Sequence, residues 1–145
     1  MIGKKMALNL VGSKVLITGA TSGIGRETAK LLAQSGCVVA ITGRRQERLD
    51  AIKLELSKQT QVMTLNFDVR NKSEVFNAIA SLQKDFEQID ILINNAGNAH
   101  GFDAIQDGNL DDWDAMMDIN VKGLLYVSKA VIPQMTKRQA GHIIN

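Results

Sequence analysis

Gly19, Gly23 and Gly25 fall close together in "VLITGATSGIGRETA", after an apolar β-branched run, "KVLIT" (14–18), and before a helical pattern, "RETAKLLAQSG" (26–36). Glycine lets the backbone turn sharply and approach a ligand, because no Cβ intervenes. A helix opening on such a turn offers free amide N–H groups and the positive end of its dipole, an arrangement that attracts phosphate. The spacing is not G-x-G-x-x-G, since position 28 is Thr, and no Gly-Lys-Ser/Thr follows to make a Walker loop. Taken alone, the stretch also fits a tight strand-to-helix turn that binds nothing.

Other residues of possible chemical use recur at the ends of later apolar runs. "VVAIT" (38–42) leads into Gly43 and the basic pair Arg44–Arg45. "QVMTLNF" (61–67) leads into Asp68 and Val69, and "IDILIN" (89–94) into Asn95, Ala96 and Gly97. Between these runs lie helical patterns: "RQERLDAIKLELSK" (45–58) spaces Leu49, Ile52 and Leu56, and "NKSEVFNAIASLQKDF" (71–86) spaces Val75, Ile79 and Leu82. "DDWDAMMDINVKGLLYVSKAVIPQM" (111–135) reads as one long helix, bent near Pro133 because proline removes a backbone donor. Continuous apolar strands alternating with amphipathic helices predict a doubly wound α/β unit, a parallel sheet covered on both faces. In such a sheet, ligands bind at the carboxyl edge, where all these residues converge.

The basic pair bears on which ligand. A dinucleotide site that prefers NAD usually places Asp or Glu about 20 residues beyond the glycines, on the ribose 2′-OH. Here that place holds Gly43, which leaves room, and two guanidinium forks suited to a 2′-phosphate dianion. A merely solvated helix start is disfavoured, because positive charge there opposes the dipole. Asp68 has a structural alternative as a cap for the helix near Asn71, and Asn94 and Asn95 as turn residues.

Four ordered motifs carry a resemblance. Thr18-Gly19-x-x-x-Gly23-Ile24-Gly25, "FDV" (67–69), "NNAG" (94–97) and Asn120 in "MMDINVKG" resemble the short-chain dehydrogenase/reductase family across essentially the whole chain. "TGRRQERL", "FDVRN" and "GHIIN" look closest to its NADP-dependent 3-hydroxy acid dehydrogenase branch, the serine or allo-threonine type. The resemblance implies a three-layer Rossmann fold with NADP held by Gly19, Thr21, Ser22, Gly23, Ile24, Gly25, Arg44, Arg45, Asp68, Val69, Asn95, Ala96 and Gly97. Asp68 would contact the adenine, and Asn120 would be catalytic, anchoring a water in a proton relay. The implied reaction moves a hydride between NADP(H) and a secondary alcohol or ketone, with 3-hydroxy acids among the candidate substrates. A non-catalytic nucleotide-binding or redox-sensing protein on the same fold is the alternative.

The resemblance also bears on "GHIIN", which reads as a strand entering a sheet. It implies a fifth strand, followed beyond Asn145 by an active-site Ser and a Tyr-x-x-x-Lys pair. Residues 1–145 are therefore expected to be the NADP-binding Rossmann portion, with the catalytic Ser, Tyr and Lys and the last strands outside it, and to be inactive alone. Tyr126 and Lys129 beside Ser128 imitate that set but stand three apart, on the helix that Asn120 marks as the preceding one. Tyr126 is read as packing or subunit contact, His100 as an exposed loop residue, Cys37 as a small buried apolar residue, and Trp113 as the anchor of the long helix. Met116, Met117, Leu124, Leu125, Val127 and Val131 are more apolar positions than one face needs, so part of helix 111–135 is expected to be a subunit contact; the resemblance implies a homodimer or homotetramer built on it.

Composition removes other classes. With 17 Lys+Arg against 15 Asp+Glu, the net charge of +2 is too small to suggest nucleic acid as a partner. His100 and His142 lie far apart with no cysteine near them, so no metal cluster is expected. One cysteine excludes an internal disulfide and fits a reducing compartment. No apolar run has the roughly 20 residues of a membrane span, and "MIGKKMALNL" lacks a signal peptide's apolar region and cleavage site. The expected location is cytoplasmic.

Overall fold

The structure, a computed structural model, describes residues 10–82, 86 and 88–145. Five parallel strands, β1 (Lys14–Ile17), β2 (Val38–Gly43), β3 (Val62–Asn66), β4 (Ile91–Ile93) and β5 (His142–Ile144), lie in the order β3-β2-β1-β4-β5. Leu16 sits in register with Ala40 on one side and Leu92 on the other, so β1 is central. The order reverses between β1 and β4. That reversal opens a crevice at the carboxyl edge.

Alternation along the strands divides the interior into two cores. Leu16, Ala40, Leu65 and Leu92 face Val75 and Ile79 of α3 (Lys72–Ala80) and Val127, Val131 and Met135 of α5 (Leu124–Arg138). Val15, Ile17, Val39 and Ile41 face Ala29 and Ala33 of α1 (Gly23–Gln34) and Leu49, Ile52 and Leu56 of α2 (Gln46–Leu56). Val15, Leu16, Ile17, Val39, Ala40, Ile41 and Leu92 are fully buried, as strands covered on both faces must be. This is the doubly wound, three-layer arrangement expected. Cys37 is buried and its Sγ donates to the Leu10 carbonyl at 3.4 Å, while burial pushes its thiol pKa up. Tyr126 packs against the α3/α5 core.

Several boundaries differ from the sequence expectation. α1 begins at Gly23, inside the glycine turn, rather than near Arg26. The helix expected over 71–86 ends at Ala80; Leu82 and Phe86 still bury in the core, and residues 83–85 lie outside the described residues. The "MIGKKMALN" reading falls on residues 1–9, also outside them. The helix expected over 111–135 is two helices, α4 (Leu110–Met117) and α5, joined by a π-helical segment, Asp118–Gly123. Its irregularity therefore lies at 118–123, and α5 runs through Pro133 to Arg138. The π turn fits a close approach: a Cβ at Gly123 would come within 2.8 Å of Val69 Cγ2.

Of the apolar residues expected on an association surface, Val127 and Val131 belong to the core. Met117 and Leu125 are exposed, as are Val121 and Ile132, so this region keeps several apolar side chains turned outward. Trp113 lies in the first turn of α4 with its indole where a Gly108 Cβ would stand. Among the described residues, no helix is long and apolar enough to cross a membrane, and no group of three or more His, Cys, Asp or Glu could hold a metal ion.

Candidate functional site

The glycine turn is held by the strand beside it. Asn95 Nδ2 donates to the carbonyls of Thr18 at 2.9 Å and Gly19 at 3.2 Å. The Thr18 hydroxyl accepts from the Ala96 amide at 2.9 Å and donates to the Ile93 carbonyl at 3.4 Å. A Cβ at Gly25 would overlap Asn95 Nδ2 and sit 2.8 Å from the Gly19 carbonyl oxygen; one at Gly19 would meet Ala96 Cα at 2.8 Å. Gly19 and Gly23 also have φ of +66° and +56°, a left-handed backbone that favours glycine. Gly19 and Gly25 are therefore set by the approach of the segment after β4, whereas Gly23, with open space at its Cβ position, is set by its backbone conformation.

Around this turn opens a cleft of about 780 Å³ at the carboxyl ends of β1 to β4. Gly19, Thr21, Ser22, Gly23, Ile24, Arg44, Arg45, Asp68, Val69, Asn95, Ala96 and Gly97 all line it. Two of the expected residues do not. Gly25 lies behind the turn against Asn95, and Asn120 lies behind the loop after β4. Asn120 Oδ1 accepts from the Asn98 amide at 3.0 Å, and its Nδ2 donates to the Asn98 carbonyl at 2.8 Å. This clamp fixes the loop from the π-helical segment. Thr42, Gly43, Phe67, Asn98 and Ile119 also line the cleft. Asn98 and Ile119 adjoin motif residues, a signal that proximity in the sequence could have supplied; the clamp itself has no such signal.

The electrostatics favour an anion. Ser22 precedes α1 without capping it through its side chain, and no acidic residue occupies the first turn, so the helix's amide end faces the cleft uncompensated. Arg44 stands at the rim, 61% exposed. Arg45 Nη2 donates to Thr21 Oγ1 at 3.2 Å, tying the start of α2 to the glycine turn. Gly43 differs from expectation: the place of its Cβ is filled by the Thr21 methyl, so it makes room for the turn rather than for a phosphate. An acidic side chain at position 43 would require Thr21 to move.

Asp68 is the one carboxylate among the described residues lining the cleft. Burial works against its charge, but hydrogen bonds from the Arg70 side chain and amide, with the charges of Arg70 and Arg44, prevail and hold its pKa below the usual range. It does not cap α3. Asn71 does, accepting from the Glu74 amide at 3.2 Å while Glu74 Oε1 accepts from Asn71 Nδ2 at 2.8 Å. Behind the sheet centre, Asn94 Nδ2 donates to Ser128 Oγ at 3.0 Å and to Asn145 Oδ1 at 2.8 Å. His100 is exposed in the following loop, its Nε2 2.6 Å from Asn98 Nδ2.

This geometry has close counterparts. The family model for short chain dehydrogenases matches residues 13–145. The chain belongs to the short-chain dehydrogenase family. It is 45% identical over 131 residues to the NADP-dependent 3-hydroxy acid dehydrogenase YdfG of Salmonella typhi, covering 90% of this chain and 52% of that one. The closed form of serine dehydrogenase complexed with NADP+ superposes with a TM-score of 0.85 at 45% identity, covering 91% of this chain and 52% of the other. NAD+-bound xylitol dehydrogenase superposes with a TM-score of 0.88 at 33% identity, over 92% and 52%. The chain thus spans about half the length of the relatives it matches.

Proposed function

We propose that the cleft binds NADP(H) and that the chain is the cofactor-binding portion of an oxidoreductase acting on a secondary alcohol or ketone, with 3-hydroxy acids among the candidate substrates. The observation that carries this reading is the meeting, in one cleft, of the bare amide end of α1 with Arg44 and Arg45. A dinucleotide needs one anion site for its pyrophosphate and, for the phosphorylated form, a second at the adenine ribose. The α1 end with Ser22, Gly23 and Ile24 suits the first, and the arginines suit the second. Both the 3-hydroxy acid dehydrogenase relative, named NADP-dependent, and the NADP+-complexed serine dehydrogenase support the choice.

In this reading the bound nicotinamide supplies or accepts the hydride. The protein's own residues do the rest: Asn95 and Thr18 fix the turn, Asp68 and Val69 border the adenine side, and Asn95, Ala96 and Gly97 form the groove floor. Asn120 is assigned here a positioning role through Asn98, with its remaining amide N–H and lone pair available to a relay water. The catalytic Ser, Tyr and Lys are placed beyond Asn145, a reading supported by the half-length match to the relatives. The free, buried Cys37 supports a reducing, cytoplasmic setting. The exposed apolar side chains Met117, Val121, Leu125 and Ile132 support self-association as a homodimer or homotetramer.

The test is Arg44→Asp. It should weaken NADP(H) binding by about 1–3 kcal/mol, the worth of a charge-assisted hydrogen bond, and spare NAD(H). Titration of both nucleotides against both proteins reads the outcome. An unchanged NADP/NAD ratio would mean that the 2′-phosphate is held elsewhere.

A further inference from the structure

Asp68 poses an electrostatic problem for the cleft as read above. A site for a 2′-phosphate should not carry a carboxylate beside its arginine, because that charge both repels the phosphate and captures the guanidinium. Yet Asp68 Oδ2 lies 3.7 Å from Arg44 Nη1. What relieves the conflict is Arg70, which is not among the residues lining the cleft. Its Nε donates to Asp68 Oδ1 at 3.1 Å and Oδ2 at 3.0 Å, and its Nη2 to Oδ2 at 2.7 Å. Its backbone amide adds a bond to Oδ1 at 3.0 Å. Arg70 also feels the charge of Asp118 on the π-helical segment, itself paired with Lys122 at 2.7 Å. Among the described residues Arg44, by contrast, makes only the long contact, and it stays largely in solvent.

We infer that Arg70 is a determinant of cofactor choice: it neutralises Asp68, so that Arg44 remains free for a 2′-phosphate. Arg70 acts through Asp68 and needs no contact with the nucleotide. The inference rests on the reading of the cleft as an NADP(H) site. Without Arg70, the carboxylate would draw Arg44 inward and oppose the phosphate. Both effects penalise NADP(H) and leave NAD(H), which has no 2′-phosphate, nearly untouched. Any contact of Asp68 with parts common to both nucleotides cancels in the ratio of affinities, so that ratio is the informative quantity.

The test uses the full-length protein and nucleotide titrations followed by fluorescence, with no turnover required. Arg70→Gln should lower the preference for NADP(H) over NAD(H) about tenfold at low ionic strength, and less in high salt. Arg70→Lys keeps the positive charge and should retain most of the preference. Adding Asp68→Asn to Arg70→Gln should restore the ratio to within about twofold of Asp68→Asn alone, since the two residues act through one contact. A double variant as poor as Arg70→Gln would overturn the inference, because Arg70 would then act on the phosphate directly. So would an Arg70→Gln protein with unchanged preference beside a wild type that favours NADP(H). A wild type that binds neither nucleotide sinks the reading of the cleft itself, a separate result.

Discussion

At the scale of single residues, Gly25 is held by a neighbour in space rather than by its own backbone. The position of its Cβ is taken by the amide of Asn95, and that amide is the donor that fixes the carbonyls of Thr18 and Gly19. Gly25→Ala should therefore push Asn95 off both carbonyls. The expected cost is about 1–3 kcal/mol of stability, from overpacking and from carbonyls left short of a donor. Nucleotide affinity should fall with it, although Gly25 does not line the cleft. Thermal melting and cofactor titration check both; an alanine variant as stable as wild type would show that the turn can yield. Much of the cleft's lining was legible in the residues, because Gly19, Arg44, Asp68 and Asn95 each end an apolar run. What Gly25 and Gly43 touch was not legible. Both abut side chains, Asn95 and Thr21, whose position depends on how strands far apart in the chain come together.

At the scale of elements, the π-helical segment is where local patterning and tertiary demand part company. Residues 111–135 carry one continuous helical pattern, in which Pro133 and Gly123 are the residues that most disfavour a helix interior. The distortion occurs instead at Asp118–Gly123, where Gly123 passes Val69 and Asn120 reaches the Asn98 backbone. Such a widened turn answers contacts made from outside the helix, so no period in the sequence announces it. Asn120→Ala would remove both bonds to Asn98. The expected result is faster hydrogen exchange across residues 97–109, with a loss of about 1–2 kcal/mol in global stability at most, since the clamp is exposed. Unaltered exchange in that loop would leave Asn120 without a positioning role. The sheet order and the faces of the helices, by contrast, follow from alternation that the sequence displays openly.

For the whole molecule, the two cores and the outer surface make different claims on the apolar residues. Val127 and Val131 are spent on the α3/α5 core, while Met117, Val121, Leu125 and Ile132 are at least 41% exposed. Water contact with such side chains is unfavourable, by roughly 25 cal/mol for each Å² that a partner could cover. Leu125→Lys should shift the full-length protein toward smaller species in light scattering while leaving its thermal melt nearly unchanged. A wild type that is already monomeric at micromolar concentration contradicts the proposed association. The sequence showed an excess of apolar positions on this helix. It could not assign each one inward or outward, because the π turn resets the helical phase between Met117 and Leu124.

The central place of β1 also governs the order in which the cleft can come into being. β1, β2 and β3 are joined through single crossover helices, so their pairing is available from a contiguous stretch of chain. β4 must instead reach back past all of them to lie against β1, pairing Val15 with Ile91. Contacts so distant along the chain carry a loop-closure cost that neighbouring strands avoid. Asn95, Ala96, Gly97 and Asn98 form one wall of the cleft, and the Thr18 and Gly19 carbonyls receive Asn95 only when β4 is docked. A chain emerging from the ribosome therefore carries its glycine turn and both arginines well before the wall that β4 supplies can complete the cleft. The cleft is thus a product of completed assembly rather than of its most recognisable motif.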